Sequence, residues 1–396
     1  MCDARALLYA SVTRVKILLV SSGSGSRGGG EIFLDYLGKG LAERGHEVTM
    51  WIPAHARMDE LAERVLRFSK VIRADYRNTY DYKRRTLATA SNRRTSDKIA
   101  RQWETLKPDI IHINKQNLED GLDLLRAADH CSMPSVCTIH LTQTARYLRA
   151  RFHRLRDRIA RGSLRNYHGT LVAVQETRRE GLAHFLRSEK RVETIFNGVP
   201  LVDLELKAAV RAAKRRDLEL KPDDFLVLGI GRLVAQKQPI VFLKVAKSLH
   251  EHFSNAKFLW VGDGKLDAEW DRWVAKEKLG GVISRVSWQA DVTPFLFAGD
   301  LLLHVAEFEG LPLAIVEAMS AEVPCAVTRN FAAEISLFND ENVLFLDDVE
   351  AVARQLKDPV VLSKVAAAGR QLVKNSLSVP AMVNSYERLY AEAMRR

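Results

Sequence analysis

The sequence predicts an α/β protein made of two doubly wound, parallel-sheet domains in tandem, and three observations carry that reading. Short aliphatic, β-branched runs recur along the chain, each followed by a turn and then by a stretch of helical period, as parallel strands buried on both faces require. This rhythm pauses across "FNGVPLVDLELKAAVRAAKRRDLELKPDD" (196–224) and then restarts. With 396 residues and 47% hydrophobic content, the chain is too long for one small core and too apolar for disorder.

In the first half, "VKILLV" (15–20), "HEVTMWIP" (46–53), "DIIHI" (109–113), "PSVCTIH" (134–140) and "GTLVAV" (169–174) read as strands. In the second half, "FLVLGIG" (225–231), "KFLWVG" (257–262), "DLLLHV" (300–305), "PCAVT" (324–328) and "VLFL" (343–346) do the same. Helical stretches separate them, which implies parallel sheets in two doubly wound domains. The segment "VPAMVNSYERLYAEAMRR" (379–396) spaces Met382, Tyr386, Leu389 and Met394 as an amphipathic helix does.

Composition narrows the classes. No apolar run approaches the roughly 18 residues of a membrane span. The opening "MCDARALLYASVTRVKILLV" carries Asp3 and no small-residue cleavage site, so a cytoplasmic protein without a signal peptide is expected. Cys2, Cys131, Cys137 and Cys325 fall at unrelated spacings, which gives neither a disulfide framework nor a zinc knuckle. The net charge of +11 is lopsided: residues 1–200 hold 35 Lys+Arg against 22 Asp+Glu, and the remainder 25 against 27. A field of that kind draws anionic partners to the first half.

Three stretches could carry chemistry. After the first strand, "GSGSRGGGE" packs five glycines into residues 23–30, so backbone amides at a helix start can approach a phosphate. A dinucleotide site would want an acid at the end of the second strand, and "EVTMWIPAHA" has none there. In "GIGRLVAQKQP", Arg232 and Lys237 stand just past the carboxyl end of a strand, where doubly wound sheets bind ligands. A forked guanidinium and a compact ammonium suit a diphosphate, although solvated loop charges would look the same in isolation. In "FEGLPLAIVEAMSAEVPCAVT", Glu309 lies in the loop before a helix and Glu317 inside it, eight positions on. Glu317 is the only charge between Leu311 and Ala321, on a surface that should pack, so it needs a partner or a ligand cavity.

Taken in order, Arg232, Lys237, "VGDG" (261–264) and the Glu309–Glu317 segment resemble the retaining nucleotide-sugar glycosyltransferases of the GT-B architecture, in the large family with a Glu-x7-Glu motif. "LAERGHEV", "PDIIHI", His140 at a strand end and "IFNGVP" (195–200) are similar to that family's N-terminal domain. The resemblance covers nearly the whole chain. It implies two Rossmann-like domains facing a cleft: residues 1–200 for the acceptor, joined by the helix 379–396, and residues 201–378 for the nucleotide-sugar donor. It further implies that Arg232 and Lys237 hold the donor diphosphate, Glu317 the ribose hydroxyls and Glu309 the transferred sugar. Gly262, Gly310 and Leu311 would join the donor site, His140 would lie beside the donor sugar, and Gly28 and Gly29 would form the loop that meets sugar, phosphate or acceptor. The substrates implied are a nucleotide-diphosphate sugar and a saccharide or lipid-linked acceptor, with no metal or other cofactor, in glycolipid or surface-polysaccharide assembly. A nucleotide-sugar epimerase or a non-catalytic homologue would share these features.

The chain also departs from the family pattern. "RNFAAEIS" has Ala332 and Ala333 where a glycine pair is usual, and "VSWQADV" has Ala290 where a glycine is common. Finally, "LTQTARYLRARFHRLRDRIARGSLRNY" (141–167) holds eight arginines against Asp157 alone, with Leu148, Phe152, Leu155 and Ile159 forming an apolar stripe if the whole segment is helical. Two readings stay open: contact with an anionic acceptor or the inner face of a membrane, or a core-packed helix with a solvated back. A second basic run, "YKRRTLATASNRRTSDK" (82–98), reads as a mobile loop. Neither run is interleaved with base-stacking aromatics, so a nucleic-acid partner is not expected.

Overall fold

The computed structural model describes residues 14–23, 25–188 and 191–396. Cys2 and the stretch read for targeting signals up to residue 13 lie outside the described residues. The first strand, β1 (Lys16–Ser21), buries every residue but its first, so it can only be an interior strand. Around it β2 (Glu47–Pro53), β3 (Lys70–Ala74), β4 (Ile110–Asn117), β5 (Ser135–Leu141), β6 (Thr170–Ala173) and β7 (Val192–Thr194) form a parallel sheet in the order β3-β2-β1-β4-β5-β6-β7. The helix Gly29–Glu43 covers it with Phe33, Leu34, Leu37 and Leu41, a single helical stripe. On the other face Trp51 and Trp103 meet edge to face at 5.8 Å within the core of Leu18, Val20, Ile111 and Ile113.

The second sheet holds β8 (Phe225–Ile230), β9 (Ala256–Val261), β10 (Ile283–Val286), β11 (Leu301–His304), β12 (Cys325–Val327) and β13 (Leu344–Phe345), all parallel, in the order β10-β9-β8-β11-β12-β13. Its core gathers Phe242, Phe258, Trp260 and Trp270, with the Phe242 and Trp270 rings stacked at 5.9 Å. Contacts divide the chain into one compact unit of residues 14–174, 178–195 and 383–396 and another of 175–177 and 196–382. The helix Val379–Arg395 therefore contributes most of its length to the first unit.

All ten strands expected from the sequence are present, and β3, β7 and β10 are additional. Each of the three is an outer strand of its sheet, and none has the unbroken buried run of an interior strand. Strand β4 also runs four residues past "DIIHI", through Asn114, Lys115, Gln116 and Asn117. The segment read as an interdomain pause contains the helix Lys207–Asp217, which belongs to the second unit. Arg211 fixes it by donating to the carbonyls of Phe297, Ala298 and Gly299 at 3.1, 2.8 and 3.0 Å, the orphan acceptors at the end of the helix Thr293–Ala298.

Two expectations for the basic segments are corrected. Residues 82–98 are not a loop but lie largely in the helices Arg85–Ser91 and Arg93–Leu106, the second capped by Asn92, whose side chain accepts from the Thr95 amide at 3.3 Å. Their buried faces begin with Thr86, Thr89 and Ser96, so hydrophobic periodicity did not reveal them. In residues 141–167 the helix begins only at His153, because Arg149 and Phe152 have φ of 51° and 57° and turn the chain out of the helical path. Leu148 and Phe152 are thus not on the helix, and they and Leu155 are exposed, whereas Ile159, Ala160 and Leu164 pack the helix itself on the core. Cys131, Cys137 and Cys325 are free thiols, and no helix of the described residues is long and apolar enough to cross a membrane.

Candidate functional site

In an open parallel sheet, ligands gather beyond the carboxyl ends of the strands where neighbouring crossovers depart in opposite directions. In the second sheet that point lies between β8 and β11. The chain leaves β8 through Gly231, at φ 147°, and leaves β9 through Gly262, at φ 136°. A Cβ on Gly262 would collide with the Gly231 carbonyl, so glycine is required there for the two turns to lie against each other. Leu233 N donates to Asp263 O at 2.9 Å and continues that close approach.

The turn Ala235–Lys237 is joined to the loop beyond β11 through Gln236. Gln236 accepts the Glu307 amide on its backbone carbonyl at 2.9 Å and donates its own side-chain amide to Phe308 O at 3.0 Å. This brings Lys237 and Glu309 into a direct ion pair, with side chains only 17% and 11% exposed. Behind them His304 is buried, with Nε2 3.8 Å from the same carboxylate and no hydrogen-bond partner. Burial, reinforced by the Lys237 charge, pushes the His304 imidazole well below its usual range, so it is neutral. Arg232 stands exposed on the same loop and forms no ion pair among the described residues.

The helix Leu313–Ser320 begins after Pro312 at its N-cap, and Glu317 sits half-buried among Val316, Ala318 and Met319. Gly310 and Leu311 are buried in the turn that leads into it. Lys237, Glu309, Gly310 and Leu311 are therefore brought together, Arg232 and Gly262 share the adjoining turns, and Glu317 lies on the following helix. Sequence reasoning missed Gln236 and His304, whose importance comes from cross-loop pairing that no local pattern displays. Of the alanines that depart from the family pattern, Ala332 is buried, whereas Ala333 and Ala290 are exposed.

In the first unit the equivalent switch point lies between β1 and β4. Gly28 is the N-cap of the helix Gly29–Glu43, and its carbonyl accepts the Ile32 amide at 3.0 Å. The first helical turn carries Glu31, only 4% exposed, whose carboxylate lies against Gly28 and accepts from Gln116 Nε2 at 2.9 Å. The positive end of the helix thus faces a carboxylate of its own, which any phosphate at Gly28 and Gly29 would have to share. His140, at the end of β5, is buried and donates from Nε2 to Asn114 Oδ1 at 2.7 Å, while Asn114 Nδ2 donates to Gly30 O at 3.0 Å. An amide oxygen only accepts, so Nε2 carries the proton and Nδ1 keeps the lone pair. Burial lowers His140 to about 3, and the edge of Phe33 closes on its ring at 5.0 Å. Asn114 and Gln116, on the unforeseen extension of β4, hold the histidine and the glycine loop in fixed relation.

Comparison with known proteins agrees with this architecture. Residues 27–203 match Glycosyltransferase Family 4, and residues 210–363 match Glycosyl transferases group 1. The chain belongs to the group 1 glycosyltransferases of the GT-B fold. Among curated relatives, the UDP-Gal:alpha-D-GlcNAc-diphosphoundecaprenol alpha-1,3-galactosyltransferase of Escherichia coli is 28% identical over 51% of this chain and 54% of its own length. The N-acetyl-alpha-D-glucosaminyl L-malate synthase of Bacillus anthracis is 23% identical over 93% and 95%. The chain spans about half the length of the first curated relatives it matches. Among solved structures, HepE of Anabaena in complex with UDP and glucose superposes with a TM-score of 0.75 at 17% identity, over 96% of this chain and all of the other. Sucrose-phosphate synthase of Thermosynechococcus elongatus gives 0.73 at 17% identity, over 96% and 99%.

Proposed function

We propose that this protein is a retaining glycosyltransferase that moves a sugar from a nucleotide-diphosphate donor to a saccharide or lipid-linked acceptor, without a metal ion, on the cytoplasmic side of a membrane. The observation that carries the reading is the meeting of Lys237 and Glu309, 72 positions apart, beyond the ends of the adjacent strands β8 and β11. A cation and an acid so placed suit the two halves of a sugar diphosphate. Lys237 and Arg232 take the phosphate oxygens, and Glu309 accepts from sugar hydroxyls. Until a donor arrives each of the buried pair satisfies the other, which limits the cost of keeping charge in a half-dry site.

Catalysis then rests on charge development. As the nucleoside diphosphate leaves, negative charge grows on its oxygens, and fixed cations stabilise that state more than the bound donor. The chemistry we infer is a same-face displacement through an oxocarbenium-like state, with the leaving phosphate taking the proton of the attacking hydroxyl. Glu317 is assigned to the ribose hydroxyls. In the first unit, His140 is assigned to the transferred sugar, and Gly28 and Gly29 to phosphate or acceptor. Relatives named for a diphosphoundecaprenol-linked sugar and for monoglucosyldiacylglycerol synthesis support a lipid-linked acceptor.

A thermal-shift panel of nucleoside diphosphates identifies the base, since a ligand selective for the native state raises its melting temperature. Hydrolysis of the matching nucleotide sugar is then compared between the wild type, Lys237→Ala and Glu309→Ala. Each variant is expected to lose about 10²–10³-fold in turnover, the scale of removing one transition-state stabilising group. Equal background turnover in all three proteins defeats the proposal.

A further inference from the structure

The two basic runs, far apart in sequence, are joined in the fold of the first unit. The helix Arg85–Ser91 packs on the helix His153–Asn166, and one buried carboxylate fastens them. Glu119 accepts from Arg156 Nε and Nη2 at 2.7 and 2.8 Å and also from the Thr86 hydroxyl. This forked pair is largely removed from water, so the assembly is built rather than incidental.

The neighbouring stretch that leads into the second helix and through its first turn is unusual in what it shows to solvent. Tyr147, Leu148, Phe152 and Leu155 are 51%, 43%, 68% and 54% exposed, and Leu87 on the joined helix is 44% exposed. Single exposed apolar residues are ordinary, but four within nine positions are not. Arg149, Arg151, Arg154 and Arg158 stand exposed between and beside them, and none forms an ion pair among the described residues. The only acid of the segment, Asp157, is occupied elsewhere, accepting the backbone amides of Ala145 and Arg146 at 2.7 and 3.2 Å. The charge is therefore not neutralised locally. The positive φ at Arg149 and Phe152 breaks the helix just where it would have turned these side chains into one stripe, and the Arg151 guanidinium lies 4.9 Å from the Phe152 ring.

We infer that residues 146–158, with the helix Arg85–Ser91 beside them, form a docking face for an anionic bilayer. Aromatic and aliphatic side chains enter the headgroup boundary there, and the arginines meet lipid phosphates. The occupant follows from chemistry. An acidic protein groove would satisfy the arginines but would not call for four separately exposed apolar side chains. A nucleic acid would want aromatics placed to stack successive bases, and this face is mainly aliphatic and arginine. An interfacial segment needs both apolar insertion and cationic contact, and this one has both. The inference deepens the reading above, since it places the enzyme where a lipid-linked acceptor is found, but its test requires no sugar transfer.

The full chain is floated with vesicles of phosphatidylcholine alone and of phosphatidylcholine mixed with phosphatidylglycerol. Binding is expected only with the anionic mixture. Arg149→Glu and Arg151→Glu should each weaken it by at least about fivefold, the loss of one basic contact with an anionic surface. Phe152→Ser with Leu155→Ser should weaken it about tenfold or more while leaving the salt dependence in place. All these side chains are exposed, so the variants should retain the wild-type melting temperature and the same nucleotide-induced shift, which separates loss of docking from loss of fold or of the donor site. Equal flotation on neutral and anionic vesicles overturns the inference, as do variants that float like the wild type. Flotation abolished by added RNA at equal phosphate concentration also overturns it, by making nucleic acid the preferred partner.

Discussion

Asn114 shows how one side chain can set the state of a buried titratable group. Its Oδ1 accepts a hydrogen bond from His140 Nε2–H and its Nδ2 donates to Gly30 O in the first turn of the glycine-led helix, and being neutral it leaves the imidazole uncharged. Replacing the amide by a carboxylate alters that balance. In Asn114→Asp the oxygen near His140 Nε2 would carry charge, which favours the imidazolium, and the contact with Gly30 O would lose its donor. The His140 resonance should then titrate about 2 units above its wild-type value of about 3, in ring-nitrogen NMR spectra recorded against pH. An unmoved titration would show that Asn114 does not govern the ring. The residue was not legible beforehand because "HIN" reads simply as the end of a strand. Glu309 and Lys237, by contrast, stood out as charges next to apolar strands, although their pairing needed the fold.

At the scale of elements, interior strands were the legible part. β1, β8 and β11 are covered on both faces, so their sequences are nearly pure aliphatic runs, and β4 and β5 showed through their β-branched residues despite His112, Thr138 and His140. β3, β7 and β10 were not seen, because an outer strand can carry Lys70, Arg73, Glu193 or Arg285 without penalty. Helices with small polar inner faces were missed for a related reason: Thr86, Thr89 and Ser96 pack as closely as apolar residues when their hydroxyls find carbonyls or carboxylates. The helix Val379–Arg395 is the opposite case, with an apolar stripe plain in the sequence but a polar role hidden in it. Its Tyr390 hydroxyl lies 2.6 Å from His112 Nδ1, and its Tyr386 hydroxyl lies 2.8 Å from Thr138 Oγ1, which in turn meets His112 Nε2 at 2.8 Å. Tyr390→Phe would leave a buried ring nitrogen without its partner. Urea denaturation should show a loss of about 1–3 kcal/mol, the usual penalty for an orphaned buried polar group. A cost below a few tenths would mean the network is dispensable.

For the whole molecule, the buried histidines set an acid limit. His112 and His140 are both held near 3 by burial, whereas in the unfolded chain they take up protons near 6.5. Below pH 6.5 the unfolded state therefore binds more protons than the native state. The stability they contribute is complete above that value and is lost as pH falls toward 3. At pH 5 each should have given up about 2 kcal/mol relative to pH 7. Asp123 works the other way. Burial raises it to about 6, so its ionisation costs stability above that value, and acid returns about 1 kcal/mol of it by pH 5. Trp51 and Trp103 report on the unit that holds all three groups. Their urea midpoint should decline between pH 7 and pH 5, and a flat or rising midpoint would contradict the burial seen here.

The placement of residues 383–396 in the first unit has a consequence for biosynthesis. Strands β1 to β7 leave the ribosome long before Tyr390, whose hydroxyl completes the hydrogen bonding of His112, and Tyr386, which bonds Thr138, so that sheet waits for these partners while the entire second sheet is translated. A chain stalled or cleaved within that interval leaves the first unit without its closing helix, a natural substrate for chaperones and proteases. Completion of the first unit is thereby tied to the helix Val379–Arg395, made after the second sheet, rather than to the sheet that precedes it.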